Sequence, residues 1–203
     1  MIYRDLVLDI FPGVYRPCDD SFLLAENLAV SGGEKVLDMG TGCGIQGILA
    51  AKQGARVMAC DISSQAVECA KHNAAKNGVG IEVIKSDLFQ RVKGAFDLIA
   101  FNPPYLPSDP REASALKKSS ADRDSDTEIL AWDGGKTGRE VASRFILGCA
   151  EHLEPGGRVL LIASSLSGIK EVEEELLRKG LRPRILGRRR FFFEELALVE
   201  GRL

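Results

Sequence analysis

The stretch Phe101 to Leu106, FNPPYL, follows directly on the apolar run Phe96 to Ala100, in which Asp97 is the one charge. A strand stops there, because two successive prolines remove two backbone N–H donors. What remains is the amide of Asn102, the bare carbonyls around Pro103 and Pro104, and the ring of Tyr105. A group of acceptors beside an aromatic face suits a ligand that brings a planar NH₂ and needs it held still.

A second stretch with chemical content is VLDMGTGCGIQG, residues 36–47. A buried strand ends in Asp38, glycines follow at 40, 42, 44 and 47, and a helix begins among them. Glycines let the backbone turn sharply and approach a ligand, and the helix start then points N–H groups at it. Gly42-x-Gly44-x-x-Gly47 also fits the dinucleotide fingerprint, with Asp61 about 20 residues on. The glycines by themselves leave a nicotinamide oxidoreductase open. Asp38 argues against it, since a carboxylate at the strand tip suits a cationic ammonium and repels a pyrophosphate. A third acid, Asp87, follows the next strand and can accept a hydrogen bond from an exocyclic amine such as that of adenine. Asp61 would take two ribose hydroxyls, and Ile62 beside it would pack on the base. Each acid by itself also reads as a strand-end turn or a helix cap. Three at successive strand ends form one site, because ligands of doubly wound sheets bind at the carboxyl ends of the strands.

The elements that must position these residues follow from the hydrophobic periods. Strands are expected at 35–39, 56–60, 81–85, 96–101 and 158–163, and helices at 45–53, 64–77, 138–152 and 167–179. Asp19, Asp20 and Ser21 read as helix-start residues ahead of the apolar stripe Phe22, Leu23, Ala25 and Leu28. Residues 1–33 are therefore expected to be an N-terminal helical segment. The end of the chain, 184–203, reads as two strands joined by a short basic turn. Alternating strands and helices predict an α/β fold, a mostly parallel sheet with helices on both faces and a C-terminal antiparallel hairpin. The polar stretch 107–130 has no core face and is expected to be a flexible substrate loop over the site.

The bulk numbers agree with one domain over 1–203. Hydrophobic residues make up 45% and charged residues 28% of the 203, as in ordinary globular proteins. The formal net charge of −2 gives no global field for nucleic acid. The basic cluster GRRRFFF, 187–193, reads as a solvated turn leading into a buried strand. The five cysteines, at 18, 43, 60, 69 and 149, form no C-x-x-C and read as small buried hydrophobes in a reducing compartment. His72 and His152 stand far apart, so no metal site is expected. With no signal peptide and no apolar stretch of spanning length, the chain reads as cytoplasmic, with no membrane contact.

Asp38-x-Gly40-x-Gly42-x-Gly44, Asp61, Asp87 and Asn102-Pro103-Pro104-Tyr105 together resemble class I S-adenosylmethionine-dependent methyltransferases. Within them the chain is similar to the HemK/PrmC group of protein glutamine N5-methyltransferases. VYRPCDDSFLL (14–24) and AWDGGKTGREVASRF (131–145) resemble signatures of its small, single-domain archaeal and eukaryotic branch. The resemblance runs from about residue 12 to the end, and implies a Rossmann-like, seven-stranded fold. It implies S-adenosyl-L-methionine as cofactor, with Ser21 and the backbone near Pro17 lying over it. Asp38 and the backbone of Gly40 and Gly42 would hold its amino-acid portion. Asp61 and Ile62 would hold the ribose and base, and Asp87 and the Leu88 amide the adenine. Asn102 and the Pro103 carbonyl would hold the substrate NH₂, beside Pro104, with Tyr105 on its plane. Asp38 stands where some members carry Glu, and Arg16 where some carry an acid.

The implied substrate is a glutamine side chain in the Gly-Gly-Gln motif of a class 1 translation release factor. Eukaryotic members work as heterodimers with a small zinc-binding activator protein, so such a partner belongs to the expectations. A base methyltransferase acting on adenine N6, and a protein lysine methyltransferase, stay open as alternatives. The base reading needs a flipped base and a basic channel, which the charge balance disfavours. A scaffold subunit that keeps the fold without the chemistry is disfavoured by the intact acids and NPPY.

Overall fold

The computed structural model describes residues 1–107 and 134–203. In chain order the elements are β1 (Ile2–Tyr3), β2 (Leu6–Val7), α1 (Asp19–Asn27), β3 (Lys35–Met39), α2 (Ile45–Lys52) and β4 (Arg56–Asp61). They continue with α3 (Ser64–Lys76), β5 (Glu82–Lys85), β6 (Phe96–Phe101), α4 (Glu140–Cys149), β7 (Leu153–Ser164), α5 (Ile169–Arg178), β8 (Arg182–Arg190) and β9 (Glu195–Arg202). All of the expected loop 107–130 except Pro107 lies outside the described residues.

The sheet has seven strands in the order β5-β4-β3-β6-β7-β9-β8, parallel from β5 to β7 and antiparallel at β9 and β8. The chain winds outward from β3 to β4 and β5, then crosses to β6 on the other side of β3. That reversal opens a crevice at the carboxyl ends of β3 and β6. Strand β6 is almost wholly apolar because both of its faces are covered. Its Leu98 and Ala100 pack with residues of α1, α2 and α3, while Ile99 and Phe101 pack with Phe145 and Ile146 of α4 and Val172 and Leu176 of α5. Helix α3 starts on Ser63, whose Oγ accepts the Ala66 N–H at 3.3 Å, a side-chain cap on the first turn.

Several expectations need correction. Residues 1–33 hold only one helix, α1, and begin instead with the two-stranded β1–β2 ladder. Polar side chains on α3 and at its C-terminal cap hold that ladder in place. Asn77 exchanges hydrogen bonds with the Val7 backbone at 3.0 and 2.9 Å, and buried Asn73 does the same with Asp9 at 2.9 Å on both sides. The expected strand 158–163 starts earlier, at Leu153, because a register shift between Phe96 and Leu98 takes up the Pro155-Gly156-Gly157 stretch. In the terminal hairpin Arg188, Arg189 and Arg190 lie in β8, and the turn is formed by Phe191 to Glu194. The phenylalanines are exposed, where a buried strand was expected.

Cys43, Cys60, Cys69 and Cys149 are buried as expected, but Cys18 is exposed, and all five are free. Burial pushes the thiols of Cys43, Cys60 and Cys149 up to about 12. Among the described residues no helix is long and apolar enough to cross a membrane.

Candidate active site

A cavity of about 230 Å³ opens at the carboxyl ends of β3, β4 and β6. All twelve expected site residues line it: Ser21, Asp38, Gly40, Gly42, Asp61, Ile62, Asp87, Leu88, Asn102, Pro103, Pro104 and Tyr105. Strand pairing brings them together, since Met39 of β3 lies between Cys60 of β4 and Phe101 of β6.

Asp38 is 2% exposed. Its Oδ2 accepts from Thr41 Oγ1 at 2.5 Å and from the Gly47 N–H at 2.9 Å, at the first turn of α2. Oδ1 has no partner among the described residues. Burial raises this carboxyl to about 6, against the lowering effect of the Thr41 and Gly47 hydrogen bonds. Asp61 is held by two backbone amides: Gly42 N–H to Oδ2 and Ser63 N–H to Oδ1, each at 2.9 Å. Burial raises it as well, and these amides oppose the shift. Gly42 has φ +55, and a Cβ there would meet nothing within 4 Å, so the missing side chain leaves the loop open. Asp87 accepts through Oδ2 from Arg144 Nη2 at 2.7 Å and from Gln90 Nε2 at 3.2 Å. Leu88 follows at φ +45, a left-handed conformation that costs a non-glycine residue about 1 kcal/mol.

At the mouth of β6, Asn102 Oδ1 is buried and has no hydrogen-bond partner among the described residues. Tyr105 OH donates to Asp20 Oδ2 at 3.0 Å. Asp20, expected only as a helix-start residue, is the first of three cavity residues that sequence reasoning missed. It is 3% exposed and accepts from Tyr15 OH through both oxygens at 2.9 and 2.8 Å. It also takes the Ser21 N–H at 2.5 Å and Ser21 Oγ at 3.1 Å. Burial and the Asp20 charge raise both phenols far above the ordinary tyrosine value, so Tyr15 and Tyr105 stay hydrogen-bond donors. The second missed residue is Gln46 on α2. Its Nε2 donates to the Ser21 carbonyl at 2.8 Å, which orients the amide and leaves Oε1 buried and without a partner among the described residues. The third is Arg144, whose partner Asp87 lies 57 positions away. Its only signal lay in the GREVASRF part of the 131–145 stretch, of which residues 131–133 are outside the described residues.

The backbone of the NPPY segment is braced from the other side. Gly134 N–H donates to the Leu106 carbonyl at 3.0 Å. A Cβ on Gly138 would stand 2.5 Å from the Tyr105 carbonyl oxygen, closer than any side chain can sit. Among the described residues no group of three or more His, Cys, Asp or Glu side chains gathers as a metal site.

The sheet order, the switch point and the acids at successive strand ends define an S-adenosylmethionine-dependent methyltransferase of class I. Residues 15–118 match the methyltransferase small domain family. A candidate protein N5-glutamine methyltransferase of Methanocaldococcus jannaschii is 41% identical over 96% of this chain and 94% of its own. The release factor glutamine methyltransferase of Deinococcus radiodurans is 36% identical over 77% of this chain and 56% of its own. The Mtq2-Trm112 complex of E. cuniculi, responsible for methylation of the translation termination factor eRF1, contains a chain of the same fold. That chain superposes with a TM-score of 0.68 at 24% identity, covering 94% of this chain and 98% of its own. The chain belongs to the methyltransferase small domain family, on the branch of the protein N5-glutamine methyltransferases.

The residues present fit the cofactor. S-adenosylmethionine presents an ammonium, two ribose hydroxyls and an adenine amine, all of them donors. The cavity presents Asp38 with a free Oδ1, Asp61, Asp87 and the orphaned Gln46 Oε1, all of them acceptors. A buried acceptor left without a donor costs about 1–3 kcal/mol, which a bound donor would recover.

Proposed function

We propose that the protein methylates the side-chain amide nitrogen of a glutamine, and that this glutamine lies in the Gly-Gly-Gln motif of a class 1 release factor. The observation that carries the reading is Asn102. Its amide oxygen is buried, without a partner among the described residues, and lies at the switch point, in a wall where two prolines offer no N–H to compete for it. The names of the M. jannaschii and D. radiodurans relatives support the substrate.

When bound, S-adenosylmethionine supplies an electrophilic methyl group on a sulfonium. Asp38 and Gln46 would hold its ammonium, Asp61 its ribose, and Asp87 with the Leu88 amide its adenine. Ile62 and Ser21 would close over it. Asn102 Oδ1 and the Pro103 carbonyl accept the two hydrogens of the substrate amide. That fixes the nitrogen in line for transfer, which is catalysis by positioning. The same two oxygens stabilise the positive charge that develops on nitrogen. Tyr105, held through its hydroxyl by Asp20, packs on the plane of the amide beside Pro104. The nitrogen proton becomes acidic once the charge develops and passes to water, so the site needs no side-chain base.

Methyl transfer from labelled cofactor to a release factor tests this. Label should appear on the factor and vanish with a Gln→Ala change in its Gly-Gly-Gln motif, and parallel DNA should stay unlabelled. Asn102→Ala should lower transfer by about 10²-fold or more while leaving cofactor affinity within about threefold. Near-normal turnover in that variant would sink the mechanism. The E. cuniculi neighbour is a two-protein complex, which supports a partner for this chain too, and the family resemblance makes that partner a small zinc-binding activator. The assay is therefore run with and without one.

A further inference from the structure

Phe191, Phe192 and Phe193 occupy the turn between β8 and β9 and are 44%, 91% and 84% exposed. Three consecutive aromatic side chains in water are unusual unless a partner covers them. The turn is hydrogen-bonded. Phe191 N–H donates to the Glu194 carbonyl at 2.7 Å, and the rings of Phe192 and Phe193 meet edge to face with centroids 4.5 Å apart. Ser164 Oγ donates to Glu194 Oε1 at 2.6 Å, and Glu195 N–H to Ser165 Oγ at 2.9 Å, which ties the turn to the end of β7.

This tip stands at the edge of the sheet where the cavity opens. Leu161 of β7 pairs with Phe101, just before Asn102, and β7 runs on three residues to Ser164. That is roughly 10 Å beyond the floor of the site. Arg189 pairs with Asp19 and Glu26 of α1, and Asp19 adjoins Asp20, which holds Tyr105.

Charge decides the kind of partner. Arg188 and Arg190 both pair with Glu195, and Arg189 with its two acids on α1, so the base of the tip is largely neutralised. A phosphate backbone or an anionic membrane would find little spare positive charge there. Exposed rings on a hydrogen-bonded turn with compensated flanks are the anatomy of a protein-binding hot spot. We propose that the Phe191–Phe193 tip docks an apolar patch on the folded substrate protein, beside the segment whose side chain enters the cavity. The proposal rests on the protein-substrate reading above.

The test compares the wild type, Phe192→Ser/Phe193→Ser and Phe192→Leu/Phe193→Leu on a full-length release factor and on a short Gly-Gly-Gln peptide. In the serine variant KM for the full-length factor should rise about 10- to 100-fold. Its kcat, cofactor Kd, melting temperature and peptide turnover should stay at wild-type values. The leucine variant, which keeps an apolar tip, should recover most of the loss. An unchanged KM on the full-length factor overturns the docking proposal while leaving the function standing. Equal losses on peptide and protein also overturn it, since they place the effect inside the cavity. A wild type that transfers no methyl group to the factor, with or without the zinc-binding partner, overturns the functional reading and this proposal with it.

Discussion

Asp38 and Asp20 are both buried carboxylates, and their surroundings give them different work. Asp38, raised to about 6 by burial, is protonated over a wider range in the folded protein than at its ordinary 3.8. The native state therefore binds more protons than the unfolded chain between those values, and this group's contribution to stability falls as pH rises through that window. A cationic ammonium favours the ionised form, so cofactor affinity should strengthen as pH rises towards about 6 and level off above it. Titration calorimetry across that range checks this, and a flat profile would remove Asp38 from ammonium binding. Asp38→Asn should abolish the rising limb. Asp20 instead serves two phenols. Asp20→Asn removes the charge from the hydrogen bonds to Tyr15 and Tyr105, and kcat/KM should fall about 10- to 100-fold with cofactor Kd unchanged. Combined with Tyr105→Phe the losses should be strongly sub-additive, and a fully additive pair would break the proposed link.

At the scale of elements, the segment that leads into α4 matters because glycines let it lie against the NPPY backbone. Gly138 has φ +77 and no room for a Cβ beside the Tyr105 carbonyl. Gly138→Ala should cost about 2–4 kcal/mol in denaturant unfolding and lower methyl transfer sharply. Gly156 is the control, with φ +76 and open space around it. Gly156→Ala should cost only about 1–2 kcal/mol and leave activity intact. Equal effects at the two sites would mean that the contact with Tyr105 is unimportant. This brace was half legible. The stretch 131–145 stood out as a signature, but a sequence does not say which backbone a glycine must approach.

The whole molecule is two apolar cores on either side of one sheet, and the site hangs on both. Phe145 of α4 is fully buried and meets Phe89 at 5.4 Å and Phe101 at 4.9 Å between ring centroids. Phe101 precedes Asn102, so packing on the face of α4 and α5 sets where the acceptor stands. Phe145→Ala should destabilise the fold by about 3–5 kcal/mol and reduce kcat more than cofactor affinity. A loss below about 1 kcal/mol, measured in urea, would show that the second core does not support the site.

The one-dimensional pattern was enough to indicate the order of strands and helices from α1 onward, the parallel sheet with its terminal hairpin, and the acids, glycines and NPPY stretch at the strand ends, while Ser21 and Leu88 joined the site only through the family resemblance. Apolar period and strand-end chemistry are local, and the carboxyl-end rule converts them into a place. Tertiary structure decided what depends on register and on distant partners. Asp20 meets Tyr105 across 85 positions, and no local period marks such a bond. The register of β8 shifts between Ile185 and Gly187, so alternation read along the sequence misassigns the residues beyond the shift. The arginines fall into the strand and the phenylalanines onto the turn, where the folded hairpin leaves them exposed.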